Sequence, residues 1–225
     1  MNLNAKPLYS TRARISNLTA ISAALAIKDP YTQGHARRVA IYARRLAMRI
    51  GLNPPEVKNI RLGGLLHDIG KIGLSEQVLN NTGNRLSADM IAELRQHPQI
   101  GADILKDFNY PKAVIDFVNF HHEQMDGSGY PLGLISYQIP LGAKIIRVAD
   151  CFDAITTDRP YQQRKSRIEA FAILHQISGT DLNSDLVDAF MADIKENGLA
   201  QYRKRSLSLY RPVLADDFSN LFFHR

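Results

Sequence analysis

Several features that would place this chain outside a reducing compartment are missing from its sequence. No apolar run approaches the roughly 18 residues that a membrane-spanning helix needs. The N-terminal segment MNLNAKPLYSTRAR has no apolar stretch of the signal-peptide kind. A single cysteine, Cys151, excludes an intramolecular disulfide. These absences argue against a membrane-spanning or disulfide-stapled secreted protein and predict a cytoplasmic localisation.

Alternating strand patterns are nearly absent too, and helical periodicity takes their place. Hydrophobic residues make up 45% of the 225 residues, enough for a sizeable core. In 36–50, apolar side chains such as Val39 and Leu46 share one face and arginines the other. The class predicted is all-α, with helices at 36–50, 55–68, 88–96, 99–107, 112–124, 141–157, 165–177 and 184–196.

The sequence predicts one domain with two extensions. We assign 1–14 to an N-terminal arm, 15–199 to the domain and 200–225 to a C-terminal extension, where the composition becomes basic and then apolar. No internal repeat or low-complexity tract interrupts the domain. Residues 125–140 carry three glycines and two prolines and are predicted to form a loop. Gly63 and Gly64, within a predicted helix, suggest a close approach between helices or are merely tolerated.

The net charge of +6 and the pI of about 9.5 favour anionic ligands. Basic residues are spread along the chain in small clusters, and no aromatic residues interleave with them to stack on bases. Nucleic acid is therefore a poor candidate for the partner. A small anionic nucleotide suits the charge, although solubility alone would also explain it.

Two pairs of residues have the chemistry of metal ligands. His67-Asp68 closes a predicted helix, and Lys71 places a cation close by. Asp150 lies in the apolar stretch KIIRVADCFDA, with Asp153 one turn further on. A buried carboxylate needs a cation or strong hydrogen bonds. A metal ion and an ion pair, with Arg147 or with Arg159, remain alternatives at this point.

A third pair, His121-His122, stands before a glycine-rich turn in HHEQMDGSGYP. Together with the motifs above, it makes the chain resemble the HD phosphohydrolase superfamily and, within it, the HD-GYP subfamily. The resemblance runs from about Lys28 to Phe190. It rests on the motifs DPYTQGHARRVA, LLHDIGKIG, HPQIGADIL, HHEQMDGSGYPLGL, IPLGAKIIRVADCFDAITTDRPY and DLVDAF.

The resemblance implies an all-α HD-domain helical bundle with a GYP-type extension and a centre of two divalent metal ions. Iron or manganese is implied, and zinc is not excluded, because imidazole and carboxylate ligands suit all three. Some members bind a third metal through a glutamate four residues before the first motif histidine. Tyr31 stands there in this chain and disfavours a third ion. The implied metal ligands are His35, His67, Asp68, His97, His121, His122 and Asp150.

Functional roles follow from the same resemblance. Asp68 would bridge the two ions, and Asp68 and Lys71 are the implied catalytic residues. The implied contacts to substrate are Lys71, Tyr130 and Arg159. His175 and His224 match no motif position, and we expect them to be structural or surface residues. We expect Cys151, beside Asp150, to be a small core residue rather than a reactant.

The implied activity is hydrolysis of cyclic di-GMP to linear pGpG, and then to GMP if a second cleavage follows. A hydroxide shared by two metals would attack phosphorus, so no serine or cysteine nucleophile is required. The resemblance also implies a GGDEF-type or adaptor protein as a partner through the GYP region. A homodimer remains an open alternative.

Several loop positions depart from the family pattern and leave the substrate open. None is an implied metal ligand, but Gln162 replaces a basic residue that would contact phosphate. Alternatives are another cyclic dinucleotide such as cyclic GMP-AMP, a general HD phosphohydrolase acting on nucleotides or (p)ppGpp, and a non-catalytic module that binds a dinucleotide or a protein. The other departures are Ser75-Glu76, Asn81-Thr82-Gly83, Ile135-Ser136-Tyr137 and the LNS segment near 183.

Overall fold

A computed structural model describes Leu25 and residues 30–79, 81, 86–158 and 163–198, with backbone alone for 30–33. The arm at 1–14 and the extension at 200–225 lie outside these ranges. In the described ranges the chain is helical, and β-structure amounts to two isolated bridges, Asp126 with Ile135 and Ser178 with Leu182. The prediction of an all-α protein is confirmed. No helix in these ranges is long and apolar enough to cross a membrane.

The helices in chain order agree with the predicted positions, with differences at their ends. Two short 3-10 helices, Ile69–Gly73 and Ser136–Gln138, and the four-residue helix α3 were not predicted. The α-helices are α1 (Pro30–Arg49), α2 (Pro54–Leu66), α3 (Glu76–Leu79), α4 (Ala88–Leu94), α5 (His97–Asp107), α6 (Lys112–Phe120), α7 (Leu141–Thr156), α8 (Arg167–Gln176) and α9 (Ser184–Asn197).

Two differences at helix ends matter for the site. Helix α1 begins at Pro30, six residues before the predicted start, so that His35 lies within the helix. Proline suits the start of a helix because its missing N–H would have no partner there. Helix α6 ends at Phe120, four residues before the predicted end. The histidine pair therefore leaves the helix and enters the loop.

Side-chain caps fix where several helices begin. The side chain of Asn53 accepts from the backbone N–H of Glu56, whose carboxylate accepts in return from the N–H of Asn53. Ser166 and Glu169 form the same reciprocal pair at the start of α8. Each such box satisfies two backbone donors that the helix leaves unpaired. These caps set the register of α2, and hence the position of His67 at its end.

The main core forms where α1 packs against α2, α7 and α9. Its largest fully buried side chains include Leu46, Ile146, Phe152 and Phe190. Tyr42 contacts Phe152 and Phe190 edge-on, with ring centroids 5.3 and 6.0 Å apart. The apolar face predicted for α1 is the face that this core buries.

Glycines let α2 approach its neighbours closely. A Cβ on Gly64 would lie 3.1 Å from the Cα of Ala40 on α1. A Cβ on Gly63 would lie 2.9 Å from Ile146 and 3.2 Å from Phe117. Of the two interpretations of this glycine pair, close helix–helix approach is therefore confirmed. The contact brings the end of α2 beside α1, α6 and α7.

Candidate metal centre

Five segments meet at the end of α2 and carry all seven residues that the sequence suggested as metal ligands. His67 caps the C-terminus of α2, and Asp68 precedes the first 3-10 helix. His35 comes from α1, His97 opens α5, His121 and His122 follow α6, and Asp150 lies in α7. His35, His67, His97 and His121 are buried, as is Asp68.

The ligand atoms form three overlapping groups, in each of which all atoms lie within 4.8 Å of one another. We call His35, His67 and Asp150 the carboxylate half-site. We call His97, His121 and His122 the three-histidine half-site. The third group joins His67, Asp68 and His121 and so connects the two half-sites.

The carboxylate of Asp68 faces both half-sites. Its Oδ2 atom lies 3.4 Å from Nε2 of His67 and 3.7 Å from Nε2 of His35. Its Oδ1 atom lies 3.4 Å from Nε2 of His97. A carboxylate with one oxygen toward each half-site has the geometry that is needed to bridge two cations.

Hydrogen bonds to backbone carbonyls orient three of the imidazoles. Nδ1 of His67 lies 2.8 Å from the carbonyl oxygen of Gly64, Nδ1 of His97 2.7 Å from that of Leu94, and Nδ1 of His121 2.7 Å from that of Val118. A carbonyl only accepts, so each Nδ1 carries the proton and donates it. In the neutral ring, Nε2 then presents a lone pair to the cluster.

The three-histidine half-site is neutral. Burial lowers the pKa of His97 to about 4. Burial also lowers the pKa of His121 and of His122 well below the ordinary value, and neighbouring histidines add to the effect. Nε2 of His97 lies 3.3 Å from Nε2 of His121, so two lone pairs face each other with no proton between them. A cation is the group that relieves this contact.

The carboxylate half-site carries charge instead. Burial alone would raise the pKa of Asp150, but a hydrogen bond from His35 and the nearby histidines hold that pKa well below its usual range. Burial would likewise raise the pKa of Asp68, which Lys71 and the histidines keep low. Burial would lower the pKa of His35, yet hydrogen bonds to Asp150 and Asp153 raise it to about 9. Both acids are therefore anionic and available as ligands.

The alternative of an ion pair between Asp150 and Arg147 does not match the geometry. Oδ1 of Asp150 lies 3.2 Å from Nε2 of His35. Arg147 is directed at Asp181, where its Nε donates to the backbone oxygen at 3.4 Å. Imidazole and carboxylate oxygen together form a donor set that suits iron, manganese or zinc. The residues present thus fit divalent metal ions.

The suggested substrate contacts within the described ranges stand beside this cluster. Nζ of Lys71 lies 2.7 Å from Oδ2 of Asp68. The ring of Tyr130 stacks on His122, with centroids 4.7 Å apart and an interplanar angle of 18°. The guanidinium of Arg95 lies 5.3 Å from the centroid of the Tyr130 ring. Arg159, His224 and Gln162 lie outside the described residues, as does the side chain of Tyr31.

Two residues assigned to no metal or substrate role, His175 and Cys151, fall where we expected. His175 is exposed on α8, far along the chain from the motif histidines. Cys151 is half-buried and packs against the main core. Its position agrees with the interpretation of a small core residue.

Sequence reasoning missed the residue that holds the loop at 125–140, which we call the GYP loop; this residue is Glu123. Its side chain is fully buried, and its two oxygens accept from the backbone N–H groups of Leu132 and Leu134 at 2.7 and 2.8 Å. Gly129 completes the turn, since a Cβ there would lie 2.4 Å from the backbone nitrogen of Gln124. An acid directly after a histidine pair was the available signal.

A second omission concerns the support of His35. Nδ1 of His35 lies 2.8 Å from Oδ2 of the fully buried Asp153, which also binds Arg38. The sequence placed Asp153 on the face of Asp150 but indicated nothing of Arg38. This imidazole therefore differs from the three that bind carbonyls.

Comparison with known proteins shows which family the chain matches. The family model described as HD domain matches residues 19–186. The chain is 37% identical over 171 residues to a cyclic di-GMP phosphodiesterase of Thermotoga maritima, covering 75% of this chain and 46% of that protein. It is 35% identical over 159 residues to 3′3′-cGAMP-specific phosphodiesterase 3 of Vibrio cholerae, covering 71% and 34%. The chain thus spans less than half the length of these relatives.

Solved structures have the same fold. An HDG"Y"P protein of Bdellovibrio bacteriovorus superposes with a TM-score of 0.60 over 82% of this chain and 60% of that chain. Its sequence identity to this chain is 23%, so the likeness concerns the fold alone. The helical arrangement around the histidine cluster is therefore a known architecture.

Proposed function

This chain belongs to the HD domain family, within its HD-GYP group, and we propose that it is a metal-dependent phosphodiesterase that hydrolyses cyclic di-GMP. The observation that carries the proposal is the contact between Nε2 of His97 and Nε2 of His121. Two neutral imidazoles held in this way are built to bind a cation. The sequence identity to a cyclic di-GMP phosphodiesterase supports the choice of substrate.

We assign one divalent ion to each half-site, with Asp68 as the bridge. Iron or manganese is our first choice, and zinc is the alternative. When bound, two such ions supply charge to the phosphate oxygens and lower the pKa of water toward neutrality. We keep the number at two, because Tyr31 stands where members with a third ion carry a glutamate.

The chain's own residues would orient the substrate around that centre. The ammonium of Lys71, at the edge of the cluster, offers a positive charge to a phosphate oxygen. Burial raises the pKa of Tyr130 above its ordinary value, so its hydroxyl remains a neutral donor. Arg159 is proposed as a further phosphate contact. The products would be linear pGpG and, after a second cleavage, GMP.

The second candidate substrate is cyclic GMP-AMP. A relative named for that specificity is 35% identical to this chain, close to the 37% of the cyclic di-GMP enzyme. None of the departures in the loops, among them Gln162, is a proposed metal ligand, so we expect them to affect the choice of substrate more than the cleavage. A non-catalytic module is disfavoured because no proposed ligand has been lost.

We also propose the GYP loop as the site of a protein partner, of GGDEF or adaptor type. Within this loop Leu132 is 65% exposed and Tyr137 is 81% exposed. Exposed apolar and aromatic side chains are common in protein interfaces. Homodimer formation remains an alternative use of the same surface.

The deciding experiment is an anaerobic turnover assay. Protein reconstituted with Fe(II) or with Mn(II) is incubated with cyclic di-GMP and, separately, with cyclic GMP-AMP, and products are separated by chromatography. We expect pGpG or GMP from cyclic di-GMP, with loss of product after chelation. Faster cleavage of cyclic GMP-AMP would select the second substrate. A fully metallated protein that cleaves neither would overturn the proposal.

A further inference from the structure

We propose that Asp153, locked in place by Arg38, is a positioning residue for His35 and makes the carboxylate half-site the one that fills first with metal. The inference rests on the proposed metal centre and concerns the affinity of its two halves. It does not depend on which substrate is cleaved. Neither Arg38 nor Asp153 is among the proposed ligands or substrate contacts.

The three residues form a chain of hydrogen bonds between α1 and α7. Oδ2 of Asp153 lies 2.8 Å from Nδ1 of His35. Arg38 donates from Nε to Oδ1 of Asp153 at 2.6 Å and from its terminal NH2 nitrogen to Oδ2 at 2.9 Å. Both carboxylate oxygens are therefore engaged, and the group cannot rotate away from His35.

The spacing repeats on both helices. Arg38 follows His35 by one turn on α1, and Asp153 follows Asp150 by one turn on α7. Residues three apart on a helix share a face. The proposed ligand pair of His35 and Asp150 thus lies one turn from the bidentate ion pair of Arg38 and Asp153, which holds the two helices in register.

This support differs chemically from that of the other imidazoles. His67, His97 and His121 each donate Nδ1–H to a neutral backbone carbonyl. His35 donates to a carboxylate, and hydrogen bonds to charged groups are stronger than those to neutral ones. An imidazole backed by a carboxylate is also the more basic metal ligand.

Charge adds to the difference between the halves. The carboxylate half-site contains Asp150, whereas the three-histidine half-site has three neutral rings and shares only the bridging Asp68. Beyond the shared Asp68, a divalent cation therefore meets an anionic ligand and a strengthened imidazole in the carboxylate half-site, and neither in the three-histidine half-site. We infer stepwise loading, with the tighter step at His35, His67 and Asp150.

Calorimetric titration of the metal-free protein with Mn(II) tests this inference without substrate. The wild type should bind two ions in two resolved steps. Asp153→Asn keeps the shape and an acceptor for His35 but removes the charge. It should weaken the tighter step by about 10- to 100-fold, the usual effect of losing a carboxylate behind a ligand, and leave the weaker step unchanged.

A matched control comes from a second ion pair on the same helix. Arg45 of α1 donates to the buried Asp193 of α9 at 3.0 Å, remote from the cluster. Asp193→Asn should leave both binding steps as in the wild type. His122→Ala removes a ligand of the three-histidine half-site, so that only one binding step should remain. That step should keep the tighter affinity of the wild type, which would assign the tighter step to the carboxylate half-site.

Arg38→Lys provides a second test, because it retains the positive charge but cannot form both hydrogen bonds to Asp153. Arg38→Lys should weaken the tighter binding step several-fold, which is less than the effect expected of Asp153→Asn. If circular dichroism shows that Asp153→Asn does not fold, Arg38→Lys alone tests the proposal. An unchanged tighter step in a folded Asp153→Asn or Arg38→Lys protein would overturn the proposal. So would retention of only the weaker step in His122→Ala. Failure of cyclic dinucleotide turnover would leave these binding results unaffected.

Discussion

Nζ of Lys71 lies 2.7 Å from Oδ2 of Asp68, the same oxygen that faces His35 and His67. The lysine follows the aspartate by three residues through the first 3-10 helix. Its ammonium therefore lies beside the carboxylate that faces both half-sites. A cation held there would be in place to bind a phosphate oxygen of the proposed substrate.

Replacement of Lys71 by methionine tests this role. We expect kcat/KM for the cyclic dinucleotide to fall by about 100-fold, since removal of one donor to developing charge has an effect of that order. Metal content should stay near that of the wild type, because Lys71 is not a proposed ligand. Lys112→Met, at an exposed lysine paired with Asp116, is the control and should leave both unchanged. Loss of metal in Lys71→Met would contradict a role confined to substrate.

Asp68→Ala tests the bridge. Both half-sites lose a shared oxygen, so the variant should purify with little metal and show no turnover. Metal analysis by mass spectrometry and the turnover assay measure the two effects. Asp116→Ala, which removes a half-exposed carboxylate on α6, serves as control. Turnover that persists in Asp68→Ala would exclude the bridging role.

Tyr130→Phe separates the hydroxyl of this residue from its ring. His122 stacks on one face of the ring and the guanidinium of Arg95 lies over the ring as well, so the hydroxyl is the group left for substrate. We expect KM to rise by about 10-fold, the loss of roughly one hydrogen bond, with metal content unchanged. Tyr137→Phe, at a tyrosine that is 81% exposed, should have no effect. An equal change in both variants would argue against a direct contact.

Gly70→Ala probes the packing that places Asp68 beside His97. An added Cβ would lie 2.0 Å from the backbone oxygen of His97 and 2.5 Å from the nitrogen of Gly101. Backbone cannot yield as a side chain can, so we expect about 3 kcal/mol or more of lost stability, at the upper end for overpacking. A Cβ on Gly73, in the same 3-10 helix, would contact only the side chain of Ile100, at 3.1 Å. Gly73→Ala should therefore lose much less stability. Urea denaturation of both variants gives the comparison.

Glu123→Gln tests the anchor of the GYP loop. One of the two backbone N–H groups that the carboxylate accepts would face an amide NH2 instead, at a loss of about 1.5–3 kcal/mol. Hydrogen exchange at Leu132 and Leu134 should become faster. Glu56→Gln, at an exposed helix cap, should leave exchange in this loop as it was. Unchanged protection in Glu123→Gln would show that other contacts hold the loop.

The sequence determined the helices and the identity of the residues in the cluster. Periodicity and caps are local signals, so α2 and α5 could be predicted to within two residues of their ends. The motif histidines and acids could be named because the chain resembles a family whose metal ligands stand at these motif positions. The early end of α6 escaped prediction, because no glycine or proline follows Phe120 until Gly127 to mark the end of a helix, while the backbone turns to place His121 and His122 in the cluster.

Only the tertiary structure decided how those residues are supported. Arg38 and Asp153 are separated by 115 residues, and no local pattern links them. The Nδ1 bonds of His67, His97 and His121 end on backbone oxygens, which every residue carries and no sequence motif can mark. The difference between the two half-sites is therefore a property of packed helices, because it depends on which acceptor each imidazole meets after the chain has folded.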